Sequence, residues 1–307
     1  MIFKRIKNKI KYICNYGIIF SLKYTIYGRK NLFLKKNKLV EKKIEKIFLN
    51  KEYENNKEKL FEPQIDTNLY KGKIWVFWWQ GLDEAPFIIK LCINNMKKYI
   101  KDREIILITK DNFSYYINLP NFIMKKFNNG NISIQHFSDI IRFYLLYYYG
   151  GLWLDATILM KDKLDNNIFD YKFYSIKREK KDERYIAGYR WTGFVLASKP
   201  QNILFKYLLN MQLIYWKKYT IIIDYVLFDY FINYLYENYN EIKRMIDDIP
   251  INNIHVDDLF DVLNMSYNEN IIRELRKNTY LYKLNWKKFI DYEKHNTIYK
   301  KFVENNE

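Results

Sequence analysis

The stretch that decides the fold runs from Phe137 to Met160, FSDIIRFYLLYYYGGLWLDATILM. Its first half reads as a helix with a small polar cluster at one end and an apolar body elsewhere. Ser138 is the expected N-cap of a helix ending at Tyr149. Gly150-Gly151 stops that helix and allows a sharp reversal. LWLDATILM then reads as one buried strand. Three charged residues interrupt this apolar run: Asp139, Arg142 and Asp155. Asp139 and Arg142 are three apart, so they share a helix face, with Ser138 close by. Asp155 stands near a strand end, and open α/β sheets bind ligands outside the carboxyl ends of their strands. The spacing therefore lets the three converge on one ligand. Taken singly, each also has a structural reading, as a cap, an i,i+3 ion pair or a turn acid.

Outward from this segment, strands alternate with helices. KIWVFWW (73–79) and EIILIT (104–109) have strand composition, and a helix is expected from Asp83 to Ile100, with Pro86 in its first turn. Two short helices or turns end at Pro120 and Gly130, and residues 132–134 read as a short strand. AGYRWTGFVLAS (187–198) reads as strand pieces joined by a turn, followed by helices to about Lys217 and from Asp224 to Glu237. Such alternation implies an α/β layered fold with a mostly parallel central sheet. The division read from the chain is a basic helical extension over 1–62 and a catalytic domain over 63–307, punctuated at Pro63.

The 307 residues are 49% hydrophobic and 28% charged, which supports a packed core and excludes global disorder. Two cysteines, Cys14 and Cys92, form no metal-ligand spacing and no disulfide framework, which fits a reducing compartment. No run reaches the roughly 18–20 apolar residues of a membrane span, and the start lacks a signal-peptide profile. His136, His255 and His295 are scattered, and neither a phosphate-binding loop nor a dinucleotide-binding glycine motif is present. Kinase and hydride-transfer chemistry therefore have no support.

The formal charge is +17, and residues 1–60 hold 17 Lys/Arg against five Glu. Residues 1–40 hold no acid, and their basic residues alternate with Ile, Phe, Tyr and Leu. That pattern suits an anionic membrane surface. A nucleic-acid arm and plain compositional bias are the rival readings, and nucleic acid is not the expected partner. The location expected is cytoplasmic, peripheral at the inner face of the cell membrane.

The combination S-D-x-x-R followed by G-G-x-W-x-D resembles the donor-binding segment of nucleotide-sugar glycosyltransferases of the GT-A fold. It is most similar to capsular polysaccharide synthesis proteins, relatives of glycosyltransferase family 32. KIWVFWWQG, WTGFVLASKP, IIDYVLFDYF and YLYKLNWKK carry the same resemblance in the same order, from about Ile74 to Lys288. The resemblance implies that Trp78 packs on the nucleobase while Gln80 and Gly81 form the nucleotide loop. Asp139 and Arg142, with Ser138, would hold the sugar. Asp155 would take the first position of the family's D-x-D motif, near the ribose and a divalent cation, Mn²⁺ or Mg²⁺. Thr157 stands where the second carboxylate would be. Either another acid helps, Asp224 being the candidate, or Lys283 and Lys287 supply the positive charge themselves. Trp191 and Gly193 are candidates for the acceptor site.

The implied activity is hexose transfer, with retention of configuration, from a nucleotide-diphosphate sugar to a glycan or glycolipid acceptor of capsule or lipopolysaccharide type. The rival is a non-catalytic basic protein that binds membranes or nucleic acid through residues 1–60.

Overall fold

The structure, a computed structural model, describes residues 2–54, 66, 68, 71–179 and 182–304; Pro63 and the 62/63 boundary lie outside them. Three helices open the chain: α1 (Ile2–Tyr16), α2 (Ile18–Arg29) and α3 (Phe33–Phe48). Strand β1 (Ile74–Phe77), helix α4 (Phe87–Tyr99) and strand β2 (Ile105–Ile108) follow. After the short helices α5 (Phe113–Tyr116) and α6 (Asn121–Asn128) comes α7 (Ile134–Tyr148). Strands β3 (Gly151–Asp155), β4 (Ile158–Met160), β5 (Phe173–Ser175) and β6 (Val195–Ser198) lead to α8 (Ile203–Lys218), α9 (Leu227–Asn238) and α10 (Asn240–Asp247). Helices α11 (Leu259–Val262) and α12 (Glu269–Leu275) precede β7 (Leu281–Lys283).

The central sheet has the order β2-β1-β3-β6-β5. The pairs β2–β1 and β1–β3 are parallel, and β6 is antiparallel to both of its neighbours. Four of the five strands thus point the same way, as the alternation of strands and helices implies. Strand β1 is buried along its whole length, as a central strand covered on both faces should be. Its Trp75 lies in register with Trp153 of β3, and both rings are fully buried.

Three sequence expectations change. Helix α7 begins at Ile134, so residues 132–134 form no strand. Its N-cap is Ser133, whose hydroxyl accepts from the His136 amide, and Ser138 lies in the helix interior. A Ser at N-cap satisfies an otherwise orphaned N–H, and two serines five residues apart offered the same chemistry. The run LWLDATILM is two strands, not one. It breaks at a turn over Ala156 and Thr157, and β4 joins β7 in a separate antiparallel pair. That break places Asp155 at the edge between the two sheets.

The glycine pair makes the preceding reversal possible. Gly151 has φ +89°, and a Cβ there would lie 2.2 Å from the Lys73 carbonyl oxygen. No other residue lets β3 dock beside the start of β1 so closely. Helix α7 is buried from His136 to Tyr148 and packs against α8.

The N-terminal helices pack on the rest of the chain. Tyr12, Tyr16, Phe20 and Tyr24, spaced four apart, form an inner aromatic seam that includes Tyr219. The Tyr12 hydroxyl donates to the Ile223 carbonyl at 2.6 Å, and Val40, Ile44 and Phe48 of α3 are buried where α3 meets α9. Among the described residues, no helix is long and apolar enough to cross a membrane.

Candidate active site

Parallel register sets the site. Phe77 at the end of β1 pairs with Asp155 at the end of β3, so both strands deliver their carboxyl ends to one edge. Helix α7 contributes Asp139 and Arg142, and β7 contributes Lys283. Arg142 is buried, with its Nη1 donating to the Gly193 carbonyl. Its Nη2 lies 3.4 Å from Asp139 and 3.6 Å from Asp155. Its guanidinium sits over the Trp153 ring at 4.8 Å, a cation–π contact that fixes the fork. The Nε of Arg142 is buried with no protein partner.

Both oxygens of Asp155 are engaged. Trp153 Nε1 donates to Oδ1 at 3.0 Å. Lys283 Nζ donates to Oδ2 at 2.6 Å and to the Thr157 hydroxyl at 2.6 Å. Burial works to raise the Asp155 pKa, but Lys283 and Arg142 outweigh it and hold the carboxyl below its usual range. Asp139 behaves oppositely. Burial pushes it up to about 7; Arg142 pulls it down only in part, while Asp155 and Asp229 push it further up.

Asp229, in the first turn of α9, is a site residue that the sequence reading missed. Burial raises it to about 7 as well, against the lowering effects of a hydrogen bond from Trp191 Nε1 (2.8 Å) and of Arg142. The segment IIDYVLFDYF offers two aspartates, and nothing in their local sequence says which faces the site. Asp224 does not. It is 4% exposed, accepts from the Tyr24 hydroxyl at 2.7 Å and pairs with Lys36 at 2.9 Å, so it anchors the N-terminal helices.

The remaining candidates divide. Thr157 is buried against Lys283. Trp78 lies at the end of β1, packed edge-on against Trp286 at 5.5 Å, and its indole N–H is buried without a protein partner. Trp286, on the segment that carries Lys283, is 42% exposed and forms the second aromatic wall, which the sequence reading also missed. Gln80 is exposed in the turn closed by the Gly81 amide bonding to the Trp78 carbonyl at 3.0 Å. Ser138 is buried beside Asp139 in sequence. Lys287 is exposed and sits over the Trp286 ring, so Lys283 alone of the two lysines reaches Asp155.

Trp191 is 1% exposed and faces Asp229 rather than an open acceptor surface. Gly193 seats Arg142. A Cβ there would lie 2.3 Å from the Phe228 ring and 2.8 Å from Arg142 Nη1.

The residues present do not fit the divalent cation implied by the resemblance. Asp155 gives its outer oxygen to an ammonium, Asp224 is committed elsewhere, and the described residues hold no group of three or more His, Cys, Asp or Glu suited to a metal.

A 137-residue segment is 26% identical to the O-glycosyltransferase braB of Annulohypoxylon truncatum, covering 41% of this chain and 30% of that protein. A 115-residue segment is 28% identical to the glycosyltransferase afumC of Aspergillus fumigatus, covering 34% and 29%. The chain thus matches under a third of the length of either relative. The solved PaToxG glycosyltransferase superposes with a TM-score of 0.38 at 17% identity, over 70% of this chain and 90% of that one. The profile of capsular polysaccharide synthesis proteins matches residues 25–302, nearly the whole chain, and the protein belongs to that family.

Proposed function

We propose that this protein is a glycosyltransferase that moves a hexose from a nucleotide-diphosphate sugar to a glycan or glycolipid acceptor of a surface polysaccharide. The observation that carries this reading is the convergence of Asp139, Arg142, Asp155 and Lys283 at the carboxyl ends of β1 and β3. Carboxylates accept from sugar hydroxyls, and a buried guanidinium supplies fixed donors to anionic oxygens. Two buried donors without protein partners, Trp78 Nε1 and Arg142 Nε, belong to this region and suit the acceptor atoms of a nucleotide sugar. In the transfer step an acceptor hydroxyl oxygen bonds to the anomeric carbon as the bond from that carbon to the diphosphate oxygen breaks, and the hydroxyl proton passes to the departing diphosphate or to solvent. The diphosphate leaves as an anion, so the protein's task is positioning and stabilisation of negative charge. Retention of configuration is part of the proposal through the family resemblance.

The acceptor is lipid-linked in this reading, because the N-terminal helices suit a membrane surface. Ile6, Ile10 and Ile13 on α1, and Ile19, Leu22 and Ile26 on α2, form exposed stripes at helical spacing. Lys9, Lys23, Arg29 and Lys30 are exposed among them. Apolar side chains buried in the headgroup region and lysines facing anionic lipids describe a peripheral contact. The test of the transferase reading is Asp155→Ala. This variant should lose donor hydrolysis and glycosyl transfer while keeping a cooperative thermal transition. Full activity in it would remove the assignment.

A further inference from the structure

Lys283 occupies a singular position. It comes from β7, in register opposite Ile158 of β4, and reaches back across the turn at Ala156 and Thr157. Its ammonium lies 2.6 Å from an oxygen of Asp155 and 2.6 Å from the hydroxyl of Thr157, the first and third residues of the Asp-Ala-Thr turn. These are the two side chains between which a D-x-D motif would clasp its cation. We infer that Lys283 is a built-in replacement for that metal: its ammonium is held by Asp155 and Thr157 and binds the diphosphate of the donor directly. This inference rests on the transferase reading above and specifies how its donor is held.

Charge balance supports it. Two carboxylates and a divalent cation sum to zero, and so do one carboxylate and one ammonium. The hydroxyl at Thr157 and the lysine at 283 therefore remove one negative and one positive contribution together, leaving the unit's charge unchanged. An ammonium has three donors. Two are given to Asp155 and Thr157, which leaves the third for a phosphate oxygen. Arg142, 3.6 Å from the other oxygen of Asp155, adds a second fixed cation.

Lysine and metal also exclude one another. A cation bound to Asp155 at about 2.0–2.2 Å would have to take the oxygen that Lys283 holds. It would also sit beside two positive side chains, Lys283 and Arg142, whose charge repels it. Lys283 Nζ also lies 5.4 Å from the centroid of the Phe194 ring, a cation–π contact that helps to hold the ammonium where it stands.

The experiment is calorimetric titration of the full chain with UDP and with GDP, in EDTA and in manganese, alongside manganese binding followed by electron paramagnetic resonance. Wild-type affinity for the preferred nucleotide should agree between the two buffers within about a factor of two, and no protein-bound manganese signal should appear. Lys283→Met, with thermal melting as the folding check, should weaken nucleotide binding in EDTA about 10- to 100-fold, the worth of one charge-assisted hydrogen bond. The double variant Thr157→Asp/Lys283→Ala rebuilds the two-carboxylate turn and should gain both manganese binding and EDTA-sensitive nucleotide binding. Wild-type binding that appears only with manganese would keep the donor and overturn the role of Lys283. Absence of binding in both buffers would instead remove the donor reading, and the inference with it. Because the wild-type comparison involves no substitution, a misfolded variant cannot hide the answer.

Discussion

Asp139 and Asp155 belong to the same cluster and titrate in opposite directions. Asp155 has two cations against it and stays ionised. Asp139 shares only Arg142 and faces Asp155 and Asp229, so burial dominates and its pKa rises to about 7. The consequence for stability has a definite sign. Between the unfolded value of about 3.9 and about 7, the native state holds this proton more tightly than the unfolded chain does. The Asp139 contribution to stability is therefore greatest below pH 4, falls as pH rises to about 7, and is flat above it. Asn mimics the protonated form. Asp139→Asn should match wild type in thermal melts near pH 4 and exceed it at pH 8, by on the order of 1–3 kcal/mol, while losing the donor's hydroxyl contact. A variant less stable than wild type at pH 8 would contradict the assignment. Sequence spacing correctly brings Asp139, Arg142 and Asp155 together, because an i,i+3 pair and a strand-end acid are local geometry. It could not choose between Asp224 and Asp229, or between Lys283 and Lys287. Those choices depend on which way α9 and β7 face once packed.

Elements set how rigidly these residues are held. The β1–β3 pairing depends on Gly151, whose positive φ and contact with the Lys73 carbonyl admit no side chain. Gly151→Ala should cost about 3–5 kcal/mol, since relief requires separating two central strands, and urea unfolding measures it. The loop before α9 is bound from the other side. Tyr12 and Tyr16 bond to its carbonyls, while Tyr24 and Lys36 hold Asp224. Lys36→Met would strip a buried carboxylate of its cation and should destabilise the protein by about 3 kcal/mol. Nucleotide affinity should survive it, measured below the melting temperature, because Asp224 is outside the donor cluster. The segment LWLDATILM shows why element boundaries escape the sequence. Its apolar content is continuous, yet Ala156 and Thr157 turn the chain from one sheet into another. Only the partner strand β7, more than a hundred residues later, makes that turn necessary.

The whole molecule joins an α/β core carrying the Asp139–Arg142–Asp155 cluster to a basic, apolar-striped helical face. In our proposal the exposed stripes of α1 and α2 are the membrane-facing part, and the core positions the donor. Full-length protein should bind anionic vesicles, and the binding should weaken as salt rises. Ile19→Glu/Leu22→Glu should abolish vesicle binding and spare hydrolysis of a soluble donor. Vesicle binding unchanged by these substitutions would remove the membrane role of this face. The sequence by itself determined the layered α/β class, the buried helix and strand around the glycine pair, and the central acid–arginine cluster. Each is written in residues close together in the chain, where periodicity and backbone sterics act. The tertiary structure alone decided that Asp224 anchors the N-terminal helices, that Asp229 joins the site, and that Lys283 stands between Asp155 and Thr157. Contacts between residues from about forty to two hundred positions apart depend on how whole elements pack, and no local pattern encodes that.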